Sequence, residues 1–294
     1  MNNGSGDGPT VAQKALALLA AVRDTGPLAV AYSGGADSAL VLAAAVRALG
    51  AEAVLAVTAE SESLAAGELT AARALARSLG VVHVARSTRE LDSAGYRANG
   101  PDRCYFCKSE VLDSIAAVAR EHGFRQVATG TNADDAADLF RPGIRAGRER
   151  GIRTPLLEAG LTKADVRAIS RLWSLPTWNK PATPCLASRI RYGIPVTRYR
   201  LGRIDRAETA VREVLDRAGL RSAQLRVRDL GDRVRIELDG EVAGEAARLP
   251  DLAQAVAGAG FGGLPLTVDA FASGRLNHER QAAADGPPVA RYRS

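Results

Sequence analysis

Apolar residues follow two alternating patterns over the first 130 residues of the chain. Short runs rich in apolar and β-branched residues are typical of buried strands, and between them apolar residues recur every three to four positions, as in helices. Glycines stand where these helices should end, at Gly50, Gly80 and Gly123. The alternation predicts a parallel sheet covered by helices on both faces. The predicted strands are residues 28–32, 54–58, 81–85 and 126–129, and the predicted helices are residues 37–49, 66–79 and 107–122.

The periodicity weakens between residues 130 and 197, where glycine, proline, arginine and aspartate accumulate. This composition predicts long functional loops around one helix, at about residues 163–173, and we expect the active site to be built there. Beyond this region the pattern predicts a small α+β domain. Its predicted elements are a helix to about residue 218, a hairpin of strands 225–230 and 234–238, a helix at 240–249 and a strand near 264–268.

The expected fold is therefore α/β, a doubly wound parallel sheet with a smaller C-terminal α+β domain. We predict one domain at residues 11–197 and a second at 198–278, with unstructured tails at 1–10 and 279–294. The N-terminal residues lack the basic start and apolar run of a secretion signal, and the apolar stretches are too short to span a bilayer. We therefore expect a cytoplasmic protein without a membrane partner.

The charge of the chain does not identify its partner. The formal net charge is +6, which makes nucleic acid a candidate. Acidic residues are interspersed with the arginines, however, and an enzyme for phosphate-bearing small molecules also needs basic residues. The pattern therefore favours a small phosphate-bearing ligand over a nucleic acid.

The sequence Ser33-Gly-Gly-Ala-Asp-Ser38 lies between the first predicted strand and the first predicted helix. A loop in that position aims backbone N–H groups and the positive end of the helix dipole at a bound anion. Gly34 and Gly35 let the backbone approach phosphate oxygens, and the two serine hydroxyls can donate hydrogen bonds. Asp37 would repel phosphate unless Mg²⁺ bridged the two groups. The alternative is an ordinary Gly-Gly turn capped by Ser and Asp.

This loop matches neither a Walker loop nor a G-x-G-x-x-G turn, and it resembles the PP-loop signature SGGxDS. Enzymes with a PP-loop cleave ATP between the α and β phosphates and transfer AMP to a carboxylate or carbonyl oxygen. A nitrogen or sulfur nucleophile then displaces the AMP. The resemblance implies ATP and Mg²⁺ as ligands and an adenine nucleotide α-hydrolase-like fold.

A second patch, Gly130-Thr-Asn-Ala-Asp-Asp135, follows a later predicted strand, where open α/β sheets bind ligands. Its carboxylates could hold Mg²⁺, and the alternative is an Asx-rich turn. The predicted ATP-binding residues are Ser33, Gly34, Gly35, Asp37, Ser38, Thr58, Gly130, Thr131 and Asp134.

The three cysteines indicate sulfur or metal chemistry. Cys104 and Cys107 lie at the start of a predicted helix and are followed by Lys108, a setting that favours thiolates, and Cys185 lies in a proline-containing loop. Three thiolates suit a [4Fe-4S] cluster with one iron left unligated by protein, and an open iron can bind sulfide. The alternatives are cysteines that pack as small hydrophobes, a structural zinc that lacks an evident fourth ligand, and a redox pair that leaves Cys185 unused.

With these motifs in place, the chain resembles the LarE family, PP-loop sulfur transferases that make the nickel-pincer nucleotide cofactor of lactate racemase. The resemblance also rests on Pro101-Asp-Arg-Cys-Tyr-Phe-Cys-Lys108, Arg153-Thr-Pro-Leu156 and Pro184-Cys-Leu-Ala-Ser-Arg189. It implies that ATP adenylates a carboxylate of pyridinium-3,5-biscarboxylic acid mononucleotide and that sulfur then replaces AMP to give a thiocarboxylate. Two such cycles would make the dithiocarboxylate.

The resemblance also implies roles for the cysteines. In one branch of the family a single cysteine, matched by Cys185, gives up its own sulfur. In the other branch three cysteines, matched here by Cys104, Cys107 and Cys185, hold a [4Fe-4S] cluster that carries the sulfide delivered to the substrate. The three-cysteine pattern of this chain resembles the second branch, and the sacrificial route remains the alternative.

Substrate-binding and further catalytic residues follow from the resemblance. Those implied to bind the substrate are Ser188, Arg189, Arg226 and Arg228, and those implied to be catalytic are Cys104, Cys107, Cys185, Asp37 and Glu208. Glu213 is an alternative match for Glu208. The segment Phe271-Ala-Ser-Gly-Arg-Leu-Asn277 departs from the usual ending of the family. For Arg226 and Arg228 the alternative is the wet face of a strand.

Two competing functions remain at this point. A tRNA thiolase would use the same loop and a CxxC pair with a third cysteine, but no RNA-binding module or basic stripe interleaved with aromatic residues is visible. A nucleotide-binding sensor would keep the loop and release no pyrophosphate. For the enzyme, we expect a homo-oligomer that uses a mononucleotide substrate and an external source of sulfide.

Overall fold

The computed structural model describes residues 8–64, 67–137, 142–181 and 184–284. These residues fall into two units by their contacts. The first unit comprises those within residues 1–97 and 102–184, and the second comprises those within residues 98–101 and 185–294. Over the described ranges, the helices are all too short or too polar to cross a membrane.

The first unit is built on a four-stranded parallel sheet with the strand order β3-β2-β1-β4. This sheet confirms the predicted α/β fold. In its register, Leu28 of β1 pairs with Val54 of β2 on one side and with Gln126 of β4 on the other. The strands are β1 (Leu28–Ala31), β2 (Val54–Glu60), β3 (Val82–Ser87) and β4 (Gln126–Ala128). The longer helices are α1 (Val11–Arg23), α2 (Ala36–Leu49), α3 (Glu68–Ser78), α5 (Arg103–Glu121) and α9 (Lys163–Leu172), and the short ones are α4 (Ala94–Arg97), α6 (Ala133–Ala137), α7 (Pro142–Glu149) and α8 (Pro155–Glu158).

Alternate residues of β1 feed two separate cores, which is why helices cover both faces of the sheet. Leu28 and Val30 pack with α1, α2 and α9, whereas Ala29 and Ala31 pack with residues of α5. Successive side chains of a strand point to opposite faces, so a strand buried on both faces needs a continuous apolar run. The sequence Leu-Ala-Val-Ala of β1 meets that requirement, and all four residues are buried.

The region predicted to be mostly loops, residues 130–197, contains more helix than the sequence pattern indicated. Besides the predicted helix, α9, it holds the short helices α6, α7 and α8. A helix of two turns or fewer shows too few repeats to display a period, and its stability comes from packing rather than propensity. α7 packs against α5, and its Ala146 is completely buried.

The second unit contains a three-stranded sheet with the strand order β5-β6-β7. β5 (Leu225–Asp229) and β6 (Val234–Leu238) form the predicted antiparallel hairpin, and β7 (Leu266–Ala270) runs parallel to β6. The helices of this unit are α10 (Arg198–Arg217), α11 (Gly240–Ala246), α12 (Asp251–Val256) and α13 (Arg275–Ala284). Helix α12, which was not predicted, follows directly after Pro250, a residue well suited to the start of a helix.

Two segments that were predicted to lie in the first domain belong to the second unit. Residues 185–197 join the second unit, and so do residues 98–101. Asn99 anchors the shorter segment, since its buried side-chain amide donates hydrogen bonds to the carbonyls of Arg191 and Ile194 at 2.9 and 2.8 Å. α13 also overlaps the tail predicted to be unstructured from residue 279, while residues 1–7 and 285–294 of the two predicted tails lie outside the described residues.

Candidate active site

The phosphate loop, residues 33–38, joins β1 to the first turn of α2. Gly35 is the N-cap of α2, and within the described residues no side chain caps this helix end. The first N–H groups of the helix, which have no intrahelical acceptor, can therefore bind an anion. Gly34 has φ +75°, and a Cβ at this position would lie 3.2 Å from the Cβ of Ala72. The positive φ therefore favours glycine at position 34, and a Cβ there would also crowd Ala72.

The two serines of the phosphate loop hold it together. The Ser38 hydroxyl donates to the carbonyl of Gly35 at 3.2 Å and accepts from the N–H of Ser33 at 3.2 Å. The two serine hydroxyls lie 3.1 Å apart. The hydroxyls thus shape the loop, and the donors left over for an anion are backbone groups at the start of α2.

Asp37, in the first turn of α2, lies in an environment that disfavours its charge. Burial raises its pKa above the ordinary value and the charge of Asp135 adds to the rise, although Asn132 donates a hydrogen bond to its carboxylate at 2.9 Å. A divalent cation would offset the energetic cost of burying the Asp37 charge and would reduce the repulsion between the two carboxylates. Two carboxylates beside bound phosphates are a usual environment for Mg²⁺.

Gly130 brings the second predicted patch against the phosphate loop. A Cβ at this position would lie 2.7 Å from the backbone N of Ser38 and 2.8 Å from the carbonyl carbon of Asp37. Only glycine fits there. In the same patch the hydroxyls of Thr129 and Thr131 lie 3.2 Å apart, and Asp134 accepts a hydrogen bond from the N–H of Lys163 at 2.7 Å. The structure therefore brings residues 130–135 and the phosphate loop together, and their role in ATP binding stays a prediction.

Thr58 is engaged within the fold. Its buried hydroxyl lies 2.5 Å from the carbonyl of Tyr32 and 2.7 Å from Nε2 of His83. A hydroxyl has one hydrogen, so donation to the carbonyl requires His83 to donate from Nε2. Burial, and then the charge of Arg73, lowers the pKa of His83. Thr58 therefore connects β1, β2 and β3, and its role in ATP binding stays a prediction.

The cysteines are divided between the units. Cys104 and Cys107 lie one turn apart at the start of α5 in the first unit, and Cys185 is the first residue of the longer segment of the second. Cys104 is exposed and the other two are half-buried. Arg103 points its guanidinium at the sulfur of Cys104, 3.9 Å away, and burial lowers the pKa of Lys108.

Two of the three cysteines are placed as neighbouring ligands of a cluster would be. Residues three apart on a helix share a face, so Cys104 and Cys107 fit two adjacent ligand positions of one metal group. Within neither unit do the described residues include three His, Cys, Asp or Glu side chains arranged to hold a metal ion.

Three arginines predicted to bind the substrate lie in the second unit, and we call Arg189, Arg226 and Arg228 the arginine cluster. Arg189 pairs with Glu208 at 2.8 Å, with both side chains almost completely buried. Glu208 also accepts the N–H of Val227 at 3.0 Å, which ties α10 to β5. Of the two glutamates considered for this position, Glu208 is buried and Glu213 is exposed on the same helix.

Arg228 is equally buried and pairs with Glu237 of β6 at 2.7 Å. It also donates to the carbonyl of Ser188 at 2.9 Å, while Arg189 donates to the hydroxyl of the same serine at 3.1 Å. The alternative that Arg228 lies on a wet strand face is therefore wrong. The pattern of hydrophobic residues did not predict the burial of Arg228, because the two residues of a buried ion pair are both polar.

Arg226 differs from its two neighbours. Its guanidinium lies 4.3 Å from the ring centre of Phe271, and within the described residues no carboxylate hydrogen-bonds to it. Burial, and then the charges of Arg228 and Arg189, lowers the pKa of Arg226 to about 10. A half-buried cation to which no carboxylate of the described residues is hydrogen-bonded is suited to bind an anion.

Sequence reasoning missed Lys180, Glu237 and Phe271. Lys180 donates to the phosphate loop, Glu237 holds Arg228, and Phe271 packs on Arg226. No local sequence pattern marks any of the three, because each acts through a contact that forms only in the folded chain.

Comparisons with known proteins extend over most of the chain. A family model described as NAD synthase matches residues 16–98, which contain the phosphate loop. An uncharacterised protein of Synechocystis sp. is 43% identical over 251 residues, 84% of this chain and 91% of that protein. The pyridinium-3,5-bisthiocarboxylic acid mononucleotide synthase of Lactiplantibacillus plantarum is 34% identical over 269 residues, 91% of this chain and 95% of the synthase.

The match to the synthase spans nearly the full length of both proteins, so it includes the phosphate loop, the cysteine-bearing segments and the arginine cluster. A shorter match, 28% over 146 residues, is found with an uncharacterised protein of Methanocaldococcus jannaschii. The resemblance inferred from the motifs is thereby confirmed: the chain belongs to the LarE family of PP-loop proteins.

Proposed function

We propose that this chain is an ATP-dependent sulfur transferase that converts the carboxylates of pyridinium-3,5-biscarboxylic acid mononucleotide to thiocarboxylates. The observation that carries the proposal is the 34% identity to the Lactiplantibacillus plantarum synthase over 91% of this chain. The site geometry supplies independent support, because the chain combines an anion-binding helix start with a separate, incompletely paired arginine.

In the first step a substrate carboxylate oxygen attacks the α-phosphorus of ATP, and pyrophosphate leaves. The backbone N–H groups at the start of α2 would hold the pyrophosphate, since no side chain of the described residues caps them. Asp37 and Asp135 would hold Mg²⁺, which would neutralise phosphate charge; burial, and then the charge of Asp135, raises the pKa of Asp37. Positioning and charge neutralisation are the contributions the protein needs to make to such a transfer.

The substrate carries a phosphate and carboxylates, which require cations. Arg226 is the member of the arginine cluster whose charge has no carboxylate partner among the described residues, so we assign it to an anionic group of the mononucleotide. Arg189 and Arg228 are held by Glu208 and Glu237 and would position Ser188 and the surrounding backbone. Glu208 is then a positioning residue.

Sulfur would come from a [4Fe-4S] cluster held by Cys104, Cys107 and Cys185. When bound, such a cluster would supply an open iron that carries sulfide. The support is the presence of all three cysteines, the shared helix face of the first two and their basic neighbours. Sulfide displaces AMP from the adenylated carboxylate, so one thiocarboxylate forms for each ATP cleaved.

Pyrophosphate release tests the reaction. Protein purified without air, incubated with ATP, Mg²⁺ and sulfide, should release pyrophosphate only when pyridinium-3,5-biscarboxylic acid mononucleotide is added, and mass spectrometry should detect the thiocarboxylate. Release that depends on bulk tRNA instead would show a tRNA thiolase, and absence of release with either acceptor would contradict both enzymes.

Iron content tests the sulfur source. The proposal expects about four irons per chain after anaerobic purification, with loss of iron in each of the three Cys→Ser variants. Iron-free protein that remains active would instead point to Cys185 as the sulfur donor, and the mass of each chain would fall once, by one hydrogen sulfide, after a single turnover.

A further inference from the structure

Lys180 contacts the phosphate loop directly, although it lies 146 residues away in sequence. Its ammonium donates to the carbonyl of Gly34 at 3.0 Å and to the carboxylate of Glu68 at 2.7 Å. Both charged side chains are about one-fifth exposed, so water weakens their attraction only in part. Within the described residues no third acceptor uses the remaining N–H of the ammonium.

The contact with Gly34 fixes the orientation of one peptide group. In a trans peptide the carbonyl of one residue and the N–H of the next point in opposite directions. By holding the Gly34 carbonyl, Lys180 turns the N–H of Gly35 towards the other side of the loop, where it lies 3.4 Å from the hydroxyl of Ser33. Within the described residues that N–H makes this one long hydrogen bond, so a phosphate oxygen could replace the serine.

The contact with Glu68 keeps the ammonium beside the loop. Glu68 lies in the first turn of α3, and the same turn packs so closely against Gly34 that a Cβ on this glycine would lie 3.6 Å from the Glu68 carbonyl oxygen. A lysine side chain is a compact charge on a flexible stem and can exchange one anionic partner for another. Pyrophosphate bears more negative charge than a single carboxylate and competes well for the ammonium.

We propose that Lys180 is a pyrophosphate-binding residue, held beside the phosphate loop by Glu68 and transferred to the β and γ phosphates when ATP binds. This inference rests on the proposed use of ATP and is independent of the acceptor and the sulfur source. The protein would thereby gain a positive charge at the leaving group, which the sequence Ser-Gly-Gly-Ala-Asp-Ser lacks.

Calorimetric titration of the full chain with inorganic pyrophosphate and with AMP, each in Mg²⁺, tests the assignment. Lys180→Met should weaken pyrophosphate binding by about 10- to 100-fold, the loss of one charge-assisted hydrogen bond. AMP affinity should stay unchanged because AMP lacks the two phosphates. Lys180→Arg should restore part of the pyrophosphate affinity, since it keeps the charge.

Two further variants make the outcome decisive. Glu68→Gln should bind pyrophosphate as tightly as the wild type or more tightly, because the competing carboxylate is gone. Lys14→Met is the matched control, since Lys14 pairs with Asp165 at the same 2.7 Å between α1 and α9, and it should leave both affinities unchanged.

Three results would overturn the inference. They are unchanged pyrophosphate affinity in Lys180→Met, a parallel loss of AMP affinity, and a loss in Glu68→Gln as large as in Lys180→Met, which would mean that the ion pair only braces the loop. Wild-type protein that binds neither ligand would contradict the proposed ATP chemistry itself, a separate failure.

Discussion

The phosphate loop and the arginine cluster both present positive potential to an anion, but they are built in opposite ways. The loop uses six consecutive residues, and its donors are backbone N–H groups at the start of α2. The cluster uses side chains from the segment around residue 189 and from β5, and it balances two of its three charges with Glu208 and Glu237. One anion site is therefore local and carries no charged side chain that binds the anion, whereas the other depends on buried charges that must be compensated.

The phosphate loop and the arginine cluster are sensitive to different kinds of substitution. A backbone site fails when the chain cannot come close, so its sensitive positions are glycines. A buried ion pair fails when one partner is lost, because the remaining charge is left without water or counter-charge. Substitutions at Gly130, Glu237 and Arg226 separate these two kinds of failure.

The largest effect is expected in the arginine cluster. Glu237→Ala leaves Arg228 buried and unpaired, which should reduce the free energy of unfolding by about 3–5 kcal/mol. Glu279→Ala is the control, since Glu279 pairs with Arg235 at 2.8 Å but is more than one-third exposed, and it should cost about 1 kcal/mol or less. Urea unfolding followed by circular dichroism measures both. Equal losses in the two variants would refute the claim that burial makes this pair sensitive.

A smaller loss is expected at the phosphate loop. Gly130→Ala introduces a Cβ within 3 Å of the backbone of residues 37 and 38, so the loop must shift. We expect a loss of about 1–3 kcal/mol in stability and at least about tenfold weaker ATP binding. Gly147→Ala in α7 is the control, because its Cβ would meet side chains no closer than 3.9 Å. Equilibrium titration with ATP compares the two variants, and normal binding by Gly130→Ala would contradict the tight packing.

We expect Arg226 to contribute to binding of the mononucleotide but not to the stability of the fold. Its pKa is lowered to about 10 in the fold, so its charge disfavours folding at neutral pH and this penalty is relieved as the pH rises above 10. Arg226→Met should therefore unfold no more easily than the wild type at pH 7. It should bind the mononucleotide about 10- to 100-fold more weakly, because a charge-assisted contact is lost.

The contribution of Arg226 to binding of the mononucleotide should also depend on pH. The affinity of the wild type for the mononucleotide should fall as the pH rises through about 10, where Arg226 loses its proton, and the already weak binding of Arg226→Met should show no such step. Titrations at pH 8 to 11 measure the difference. A step that persists in the variant would assign the titration to another group.

Local sequence was sufficient where short-range chemistry decides structure. The strand, loop and helix around residues 33–38 follow from an apolar run, two glycines and a helical period, and each is found as predicted. The hairpin of β5 and β6 follows for the same reason, since alternating residues and a Gly-Asp turn specify it within 14 residues, Leu225–Leu238. Helix α12 was missed because the sequence pattern treated Pro250 as the end of a helix, whereas α11 ends at Ala246 and Pro250 directly precedes α12.

Long-range contacts could not be derived in this way. The alternating pattern of β5 predicts that Arg228 is exposed. Its charge is buried instead, and the pairing with Glu237 across the hairpin offsets the energetic cost of that burial. Likewise, Lys180 gives no sign in sequence that it reaches Gly34, because its target is a backbone carbonyl that every residue possesses.

The sequence by itself therefore determined the parallel sheet, the phosphate loop and the family, because these depend on periodicity and on residues that are neighbours in the chain. Tertiary structure decided which charges are compensated and which stay available. It paired Arg189 and Arg228 with carboxylates, left Arg226 against an aromatic ring, and brought Lys180 to the loop. The physical reason is that the energy of a charge depends on burial and on its partners, and both are properties of the folded chain.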